Sequence, residues 1–124
     1  MVAERADFRK PRTFALAVAS YKLAILVAKH KQSSHARIGT FNLRLAWLYR
    51  SIKKRQQEKK YLQYTLDYYL KAFEAEDQPD FGNLSEGGIT YLLGELYRQT
   101  GNMRQAVNFF QKVVNDKELD TEPK

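Results

Sequence analysis

Leu45-Ala46-Trp47-Leu48-Tyr49-Arg50 is the stretch that decides the fold, because it recurs 48 residues later as Leu93-Gly94-Glu95-Leu96-Tyr97-Arg98, identical at four of six positions. Self-similarity over such a distance is typical of helical-repeat proteins, whose units bury their apolar faces against one another. The leucine precedes a small residue, which lets a partner helix approach closely. The tyrosine three residues after the small residue covers the crossing. The repeat therefore predicts packed pairs of helices.

The second copy extends into a longer pattern. Leu93, Gly94 and Tyr97 are followed by Gly101 in a turn and by Ala106 and Phe110 in a second helix, and these spacings resemble a tetratricopeptide repeat. The chain departs from that pattern at three positions, which suits a terminal repeat with no successor to pack against: Val113, Glu118 and Thr90.

The first copy resembles the same repeat less closely. Leu45, Ala46 and Tyr49 align with it, but the next stretch is about seven residues longer before a second helix at Thr65, Tyr69 and Ala72. The first predicted helix contains Ala17, Tyr21 and Ala24. It resembles the second helix of a pair whose first helix is missing. We therefore expect a module that looks cut at its N-terminal side.

Apolar periodicity predicts five helices. Their expected ranges are about 12–31, from 35 to the basic cluster at 53–55, from there to an acidic stretch at 74–80, from 85 or 86 to Gly101, and 103–115. The longest loop is expected at 78–85, around Pro79 and Gly82. The prediction is all-α: antiparallel helix pairs in a right-handed, tetratricopeptide-like α-solenoid fragment over 12–116, with a lead-in at 1–11 and a flexible tail at 117–124. The predicted core is Ala17, Tyr21, Ala24, Leu45, Tyr49, Tyr69, Leu93, Tyr97, Ala106 and Phe110.

Composition excludes several classes of site. The 124 residues include no cysteine and two histidines, so we expect neither disulfides nor a metal site, and we predict no cofactor. The charged start lacks the apolar core of a signal peptide, and no stretch is expected to approach the roughly 20 apolar residues of a membrane span. A cytoplasmic location is the resulting expectation, without membrane association.

The whole chain resembles an uncharacterised bacterial family, domain-of-unknown-function family 2225, and in particular its C-terminal half. Three stretches carry the likeness: Ser20-Tyr21-Lys22-Leu23-Ala24, Arg44-Leu45-Ala46-Trp47-Leu48-Tyr49-Arg50 and Tyr91-Leu92-Leu93-Gly94-Glu95-Leu96-Tyr97. The resemblance implies a bipartite protein with a cysteine-rich, zinc-ribbon-like N-terminal half. Because this chain has no cysteine, any zinc-binding role would belong to that other half. The family brings no established activity.

Protein or peptide recognition is the predicted function, because the first helix of each tetratricopeptide pair lines a concave groove. The positions expected to face a ligand are Thr40, Leu43, Arg44, Trp47 and Arg50 in one pair and Tyr91, Glu95, Arg98 and Gln99 in the other. Trp47 is singled out because an exposed tryptophan flanked by arginines is typical of a binding hot spot. The alternative is that Trp47 packs in the core. Arg44, Arg50 and Arg98 would suit an anionic or carboxylate-ended ligand.

Charge supports a second hypothesis, in which the chain contacts nucleic acid. Residues 1–60 hold fifteen Lys and Arg against three Asp and Glu, whereas residues 61–124 hold six against eleven. The densest basic run contains the candidates Lys53, Lys54 and Arg55, which could meet phosphates. That run has no helix-turn-helix signature or phosphate loop, so a solvated helical extension is the preferred interpretation.

Catalysis has little support. His30 and His35 are five residues apart, which does not place them on one helix face, and we expect them at helix ends. No nucleophile arrangement stands out. We therefore predict a chain that is not an enzyme and whose partner is a protein or peptide of acidic character. A third hypothesis is a homodimer, in which a truncated array covers its first helix by self-association.

Overall fold

The computed structural model describes the backbone of residues 11–75 and 86–121, and the side chains of 12–74 and 88–115. The described residues form five α-helices and no strand, which confirms the all-α class: α1 (Pro11–His30), α2 (His35–Ser51), α3 (Arg55–Ala75), α4 (Glu86–Gln99) and α5 (Met103–Thr121). The predicted loop at 78–85 lies outside the described residues. The predicted end of the last helix near Asn115 was wrong, because α5 continues to Thr121.

Successive helices pack antiparallel within the described ranges. The Phe14 ring, near the start of α1, lies 5.5 Å from that of Tyr49, near the end of α2. The hydroxyl of Thr40, early in α2, lies 2.8 Å from that of Tyr69, late in α3. Tyr91, in the first half of α4, lies 5.6 Å between ring centroids from Phe110 of α5. Each pair is therefore a helical hairpin.

Two apolar clusters hold these hairpins together, and α2 contributes to both. One joins α2 to α3, α4 and α5, and its fully buried members include Ala46 and Leu93. The other joins α1 to α2 around Ile25 and Leu45. Of the predicted core, four residues are buried, namely Leu45, Tyr69, Leu93 and Ala106, and the other six are partly buried. Helix α2 thus supplies buried residues to both clusters, and α3 links it to α4.

Glycine permits the closest helix contacts. A Cβ added to Gly39 in α2 would lie 2.6 Å from Cδ1 of Tyr69, and one added to Gly94 in α4 would lie 2.7 Å from Cε1 of Phe110. A side chain at either position would therefore push the partner helix away. The close approach expected at Gly94 is confirmed. The one at Gly39 was missed, because it lies outside the repeated six-residue stretch.

Three helices end in the same way, with one residue in the left-handed conformation. At the end of α4 this residue is Gly101, with φ of 94°, as predicted for a C-terminal cap. Helices α1 and α2 use Gln32 and Lys53 instead, with φ of 55° and 61°. In each case two backbone N–H groups turn back onto the last helical carbonyls, as in Asn102 N to Tyr97 O at 2.8 Å. The two other caps have no glycine that would mark them in the sequence.

Helix α1 corrects one expectation. It is long and apolar enough to cross a membrane, over Arg12–His30 near the N-terminus, although no such stretch was predicted. Core helices of soluble proteins and signal sequences pass the same test, so one such helix is weak evidence for a span. Only a small part of α1 is buried, since it packs on α2 along one side.

Replacing Gly39 with alanine should destabilise the fold. The added Cβ would overlap the ring of Tyr69, which is 2% exposed and cannot move aside freely. Overpacking costs about 1–3 kcal/mol, which exceeds the gain of about 1 kcal/mol in helix propensity. Urea unfolding should give a free energy of unfolding lower by about 1 kcal/mol, while Lys22→Ala on an exposed face should change little. An unchanged Gly39→Ala variant would contradict the packing.

The left-handed caps predict two changes of opposite sign. Lys53→Gly should raise the free energy of unfolding by about 1 kcal/mol, because glycine adopts a positive φ without steric cost. Gly101→Ala should lower it by a similar amount, although the added methyl would meet nothing within 4 Å. Urea titration of both variants measures the difference. Changes of the same sign in the two would contradict the cap geometry.

Candidate peptide-binding surface

Trp47 lies on α2 at the edge that faces α1. This side chain is 50% exposed, so the structure favours the surface position over the core alternative. It lines an open cavity of about 480 Å³ between α1 and α2, together with Tyr21, Arg44, Leu48 and Ser51. Arg44 is exposed and forms no ion pair with another described residue. An exposed aromatic ring and a cation thus share one concave surface.

A second exposed strip runs along α4. Tyr91 is 54% exposed, and Glu95 and Arg98 follow it on the same side of the helix. Arg98 donates two hydrogen bonds to Glu95, from Nε to Oε1 at 3.1 Å and from Nη2 to Oε2 at 2.9 Å. The guanidinium of Arg98 is therefore already engaged within its own helix.

Arg50 connects the end of α2, which carries Trp47, to the exposed strip of α4. Its Nε donates to Glu58 Oε2 at 2.7 Å, and its Nη2 donates to Gln99 Oε1 at 3.1 Å. The amide of Gln99 donates in turn to Glu95 at 3.3 Å. A polar chain therefore runs from the start of α3, across the end of α2, to the end of α4. It brings together Arg50, Glu95 and Arg98, three of the six predicted peptide-binding residues.

A basic cavity opens at the end of this polar chain. Its volume is about 560 Å³, and the residues that line it are Arg50, Lys53, Arg55, Glu58, Lys59, Leu62 and Gln99. Four of these are cations and one is an anion. Arg50, predicted for peptide binding, and Lys53 and Arg55, predicted for nucleic acid, thus share one cavity. Lys54 is exposed but does not line it.

Two of the residues predicted to face a ligand belong to the interior. Leu43 is buried in the cluster that joins α2 to α3, α4 and α5, so the prediction for it was wrong. Thr40 is half-buried, and its hydroxyl contacts Ala36 O at 3.0 Å and Tyr69 Oη at 2.8 Å. Burial raises the pKa of Tyr69, an effect that the Thr40 contact partly offsets. Both residues lie on the side of α2 that faces α3.

The two histidines lie on either side of the turn between α1 and α2. Helix α1 ends at His30 and α2 begins at His35, so both lie at helix ends, as predicted. The His35 ring is 6.1 Å from that of Tyr68. In the described part of the chain, no group of three or more His, Asp and Glu side chains could hold a metal ion.

Comparison with known proteins identifies the family. The helices place the chain in the all-α class, and a family model described as "Uncharacterized protein conserved in bacteria (DUF2225)" matches residues 1–124. The chain belongs to this bacterial family, which confirms the resemblance. That it corresponds to the C-terminal half of the family stays a prediction. No curated protein and no solved structure matches the chain.

The Glu95–Arg98 pair predicts a dependence of stability on pH. The two hydrogen bonds from Arg98 lower the pKa of Glu95, against a smaller opposing effect of burial. A depressed carboxyl pKa stabilises the fold above the unfolded value of about 4.3, and this contribution is lost as pH falls through the folded value. Glu95→Gln should therefore cost a few tenths of a kcal/mol at pH 7 and less near pH 3.

Urea unfolding of the wild type and Glu95→Gln at pH 7 and near pH 3 measures this difference in the free energy of unfolding. Because the pair is partly exposed, 1 M salt should shrink the difference at pH 7, since the screening length falls to about 3 Å. A cost of Glu95→Gln that is undiminished near pH 3 would show that the carboxylate charge is not its source.

Proposed function

We propose that this chain is a non-catalytic recognition module that binds a peptide or protein segment along the exposed strips of α2 and α4. In this proposal α2–α3 and α4–α5 are two tetratricopeptide-type repeats in a right-handed array. The half-exposed Trp47, beside Arg44 in an open cavity, is the observation that carries the proposal.

The helix contacts support the repeat assignment. In each hairpin a glycine of the first helix lies against an aromatic ring of the second, Gly39 against Tyr69 and Gly94 against Phe110. Ala106, at a small-residue position of the repeat, is 1% exposed. Close approach of paired helices is what the small positions of such a repeat provide, and the contact at Gly94 supports the assignment in that way. In the first hairpin the close contact is at Gly39, seven residues before Ala46, which aligns with Gly94.

The exposed aromatic side chains support a binding role for this face. Large apolar side chains lose stabilisation when they remain in water, and hot spots of interfaces are enriched in Trp, Tyr and Arg. Trp47 and Tyr91 project from neighbouring helices of the same core cluster. The chain therefore offers two aromatic anchors, one on each strip.

The charges of the surface favour an acidic ligand. Arg44 forms no ion pair with a described residue, and the basic cavity at the end of α2 has four cations against the one carboxylate of Glu58. Arg98 is neutralised by Glu95, so it would orient Glu95 more than bind a ligand anion. We expect a segment that carries an apolar side chain for Trp47 and carboxylates for Arg44 and the basic cavity.

Nucleic-acid binding is the second candidate, favoured by the basic cavity alone. Lys53, Arg55 and Lys59 lie close enough to line one concavity and could contact phosphates. Such binding would depend on charge, ignore sequence and weaken steeply with salt. It would not require Trp47, which lines a different cavity.

A peptide selection tests the proposal. Random dodecapeptides displayed on phage are selected against the wild-type chain, and the consensus peptide is synthesised with a fluorophore. Anisotropy should give a Kd at least tenfold weaker for Trp47→Ala, about 1.4 kcal/mol, and a few-fold weaker for Arg44→Ala. The matched controls Met103→Ala and Arg104→Ala change an exposed apolar side chain and a cation on α5, and should bind normally.

The alternative outcomes are distinct. A consensus without acidic residues, or equal binding by Trp47→Ala, would contradict peptide recognition on this surface. A single-stranded RNA oligonucleotide tests the second candidate. Its binding should fall with salt and be lost on neutralising Lys53, Lys54 and Arg55 together if nucleic acid is the ligand, and Trp47→Ala should leave it unchanged.

A further inference from the structure

The outward side of α1 carries an apolar seam. Leu16, Ala19, Leu23 and Leu26 follow one another at steps of three, four and three residues, the spacing by which one helix packs along another. All four are exposed, and the three leucines are 61–64% exposed. We call these four residues the α1 seam.

The seam is separate from the side of α1 that holds the fold together. Ile25 and Ala28 are buried against α2, and Phe14 and Tyr21 pack against the same cluster. Among the described elements, α1 packs along α2, and its Lys29 approaches the Tyr68 ring of α3. The seam therefore contributes nothing to the packing of the described helices.

A groove adjoins the seam. It has a volume of about 510 Å³ between α1 and the start of α2, and its apolar walls come from Leu23, Ala24, Val27, Ala28 and Phe41. Lys31 and Arg37 stand at its rim, with the guanidinium carbon of Arg37 5.8 Å from the centre of the Phe41 ring. The seam and the groove form one apolar surface with a basic edge.

The charges that α1 and α2 place near this surface all have the same sign. No Asp or Glu occurs between Asp7 and Glu58, so α1 and α2 carry only cations. Lys22 and Lys29 lie on the side of the seam away from the groove, and Lys29 leans towards the Tyr68 ring at 5.9 Å. A helix laid on the seam would therefore face cations on both of its flanks.

We propose that the α1 seam binds an amphipathic helix of another protein, one whose apolar stripe has heptad spacing and is flanked by acidic residues. Charge complementarity selects this occupant over a second copy of the chain. Two facing copies would bring Lys22, Lys31 and Arg37 against the same cations, with no carboxylate from α1 or α2 to offset them. The surface is distinct from the strips of α2 and α4 and does not depend on their function.

The test uses two designed helical peptides of four heptads. Each has leucine at the two apolar positions of every heptad. One has glutamate at every flanking position, and the other has lysine there. Fluorescence anisotropy at physiological salt should show the glutamate peptide binding at least tenfold more tightly than the lysine peptide. The double variant Leu23→Ser and Leu26→Ser should lose at least tenfold of that affinity.

Two controls separate the seam from other causes. Val107→Ser removes an equally exposed apolar side chain from α5 and should bind the glutamate peptide normally. Trp47→Ala should also bind it normally, which distinguishes failure here from failure of the proposed peptide surface. Circular dichroism and urea unfolding of the double variant should match the wild type, because neither leucine is buried.

Four results would overturn the proposal. Equal affinity for the two peptides, or no effect of the double variant, would show that the seam and its charges do not select the helix. Dimerisation in sedimentation velocity that the double variant abolishes would make a second copy the occupant. Binding to phosphatidylglycerol vesicles that the double variant abolishes, without binding of the glutamate peptide, would make it a lipid surface.

Discussion

The close contact between α2 and α3 at Gly39 is the constraint on which the described structure depends. The ring of Tyr69 lies where a side chain at Gly39 would stand, and the Tyr69 hydroxyl meets that of Thr40. This contact sets the spacing of the hairpin, and α2 then has one side for α1 and another for α3. The rest of the α2 surface includes Arg44 and Trp47, which are exposed.

The charge distribution distinguishes the junction at Arg50 from two other surfaces, the one around Trp47 and the α1 seam. Helices α1 and α2 carry cations alone, while α3 and α4 supply the carboxylates of Glu58 and Glu95. Where α2 meets those helices, Arg50 is paired. Away from that junction, the cations border apolar side chains, at Trp47 and along the α1 seam. Both surfaces therefore combine an apolar centre with a positive edge, and the two proposals of acidic partners are based on this arrangement.

Prediction from sequence succeeded where the signal was local. Apolar periodicity predicted the five described helices, and Gly101 predicted the C-terminal cap of α4. Both features depend on residues only a few positions apart. It failed for Lys53, whose left-handed conformation has no glycine to mark it. It also failed for Leu43, which was predicted to face a ligand and is buried. Whether such a position is core or surface depends on which side of the helix another helix covers. The pairing of Arg98 with Glu95 was missed, although their spacing of three residues is a signal for it.

The sequence by itself determined the helices, the small residues that let them approach, and the absence of acidic residues from α1 and α2, since these are properties of composition and period. Only the tertiary structure decided which apolar residues are core and which are surface. Leu45 and Leu23 are equally hydrophobic and both helical, yet one is fully buried and the other is 61% exposed. The reason is physical: burial depends on which helix lies opposite, and that is set by contacts between residues distant in the chain.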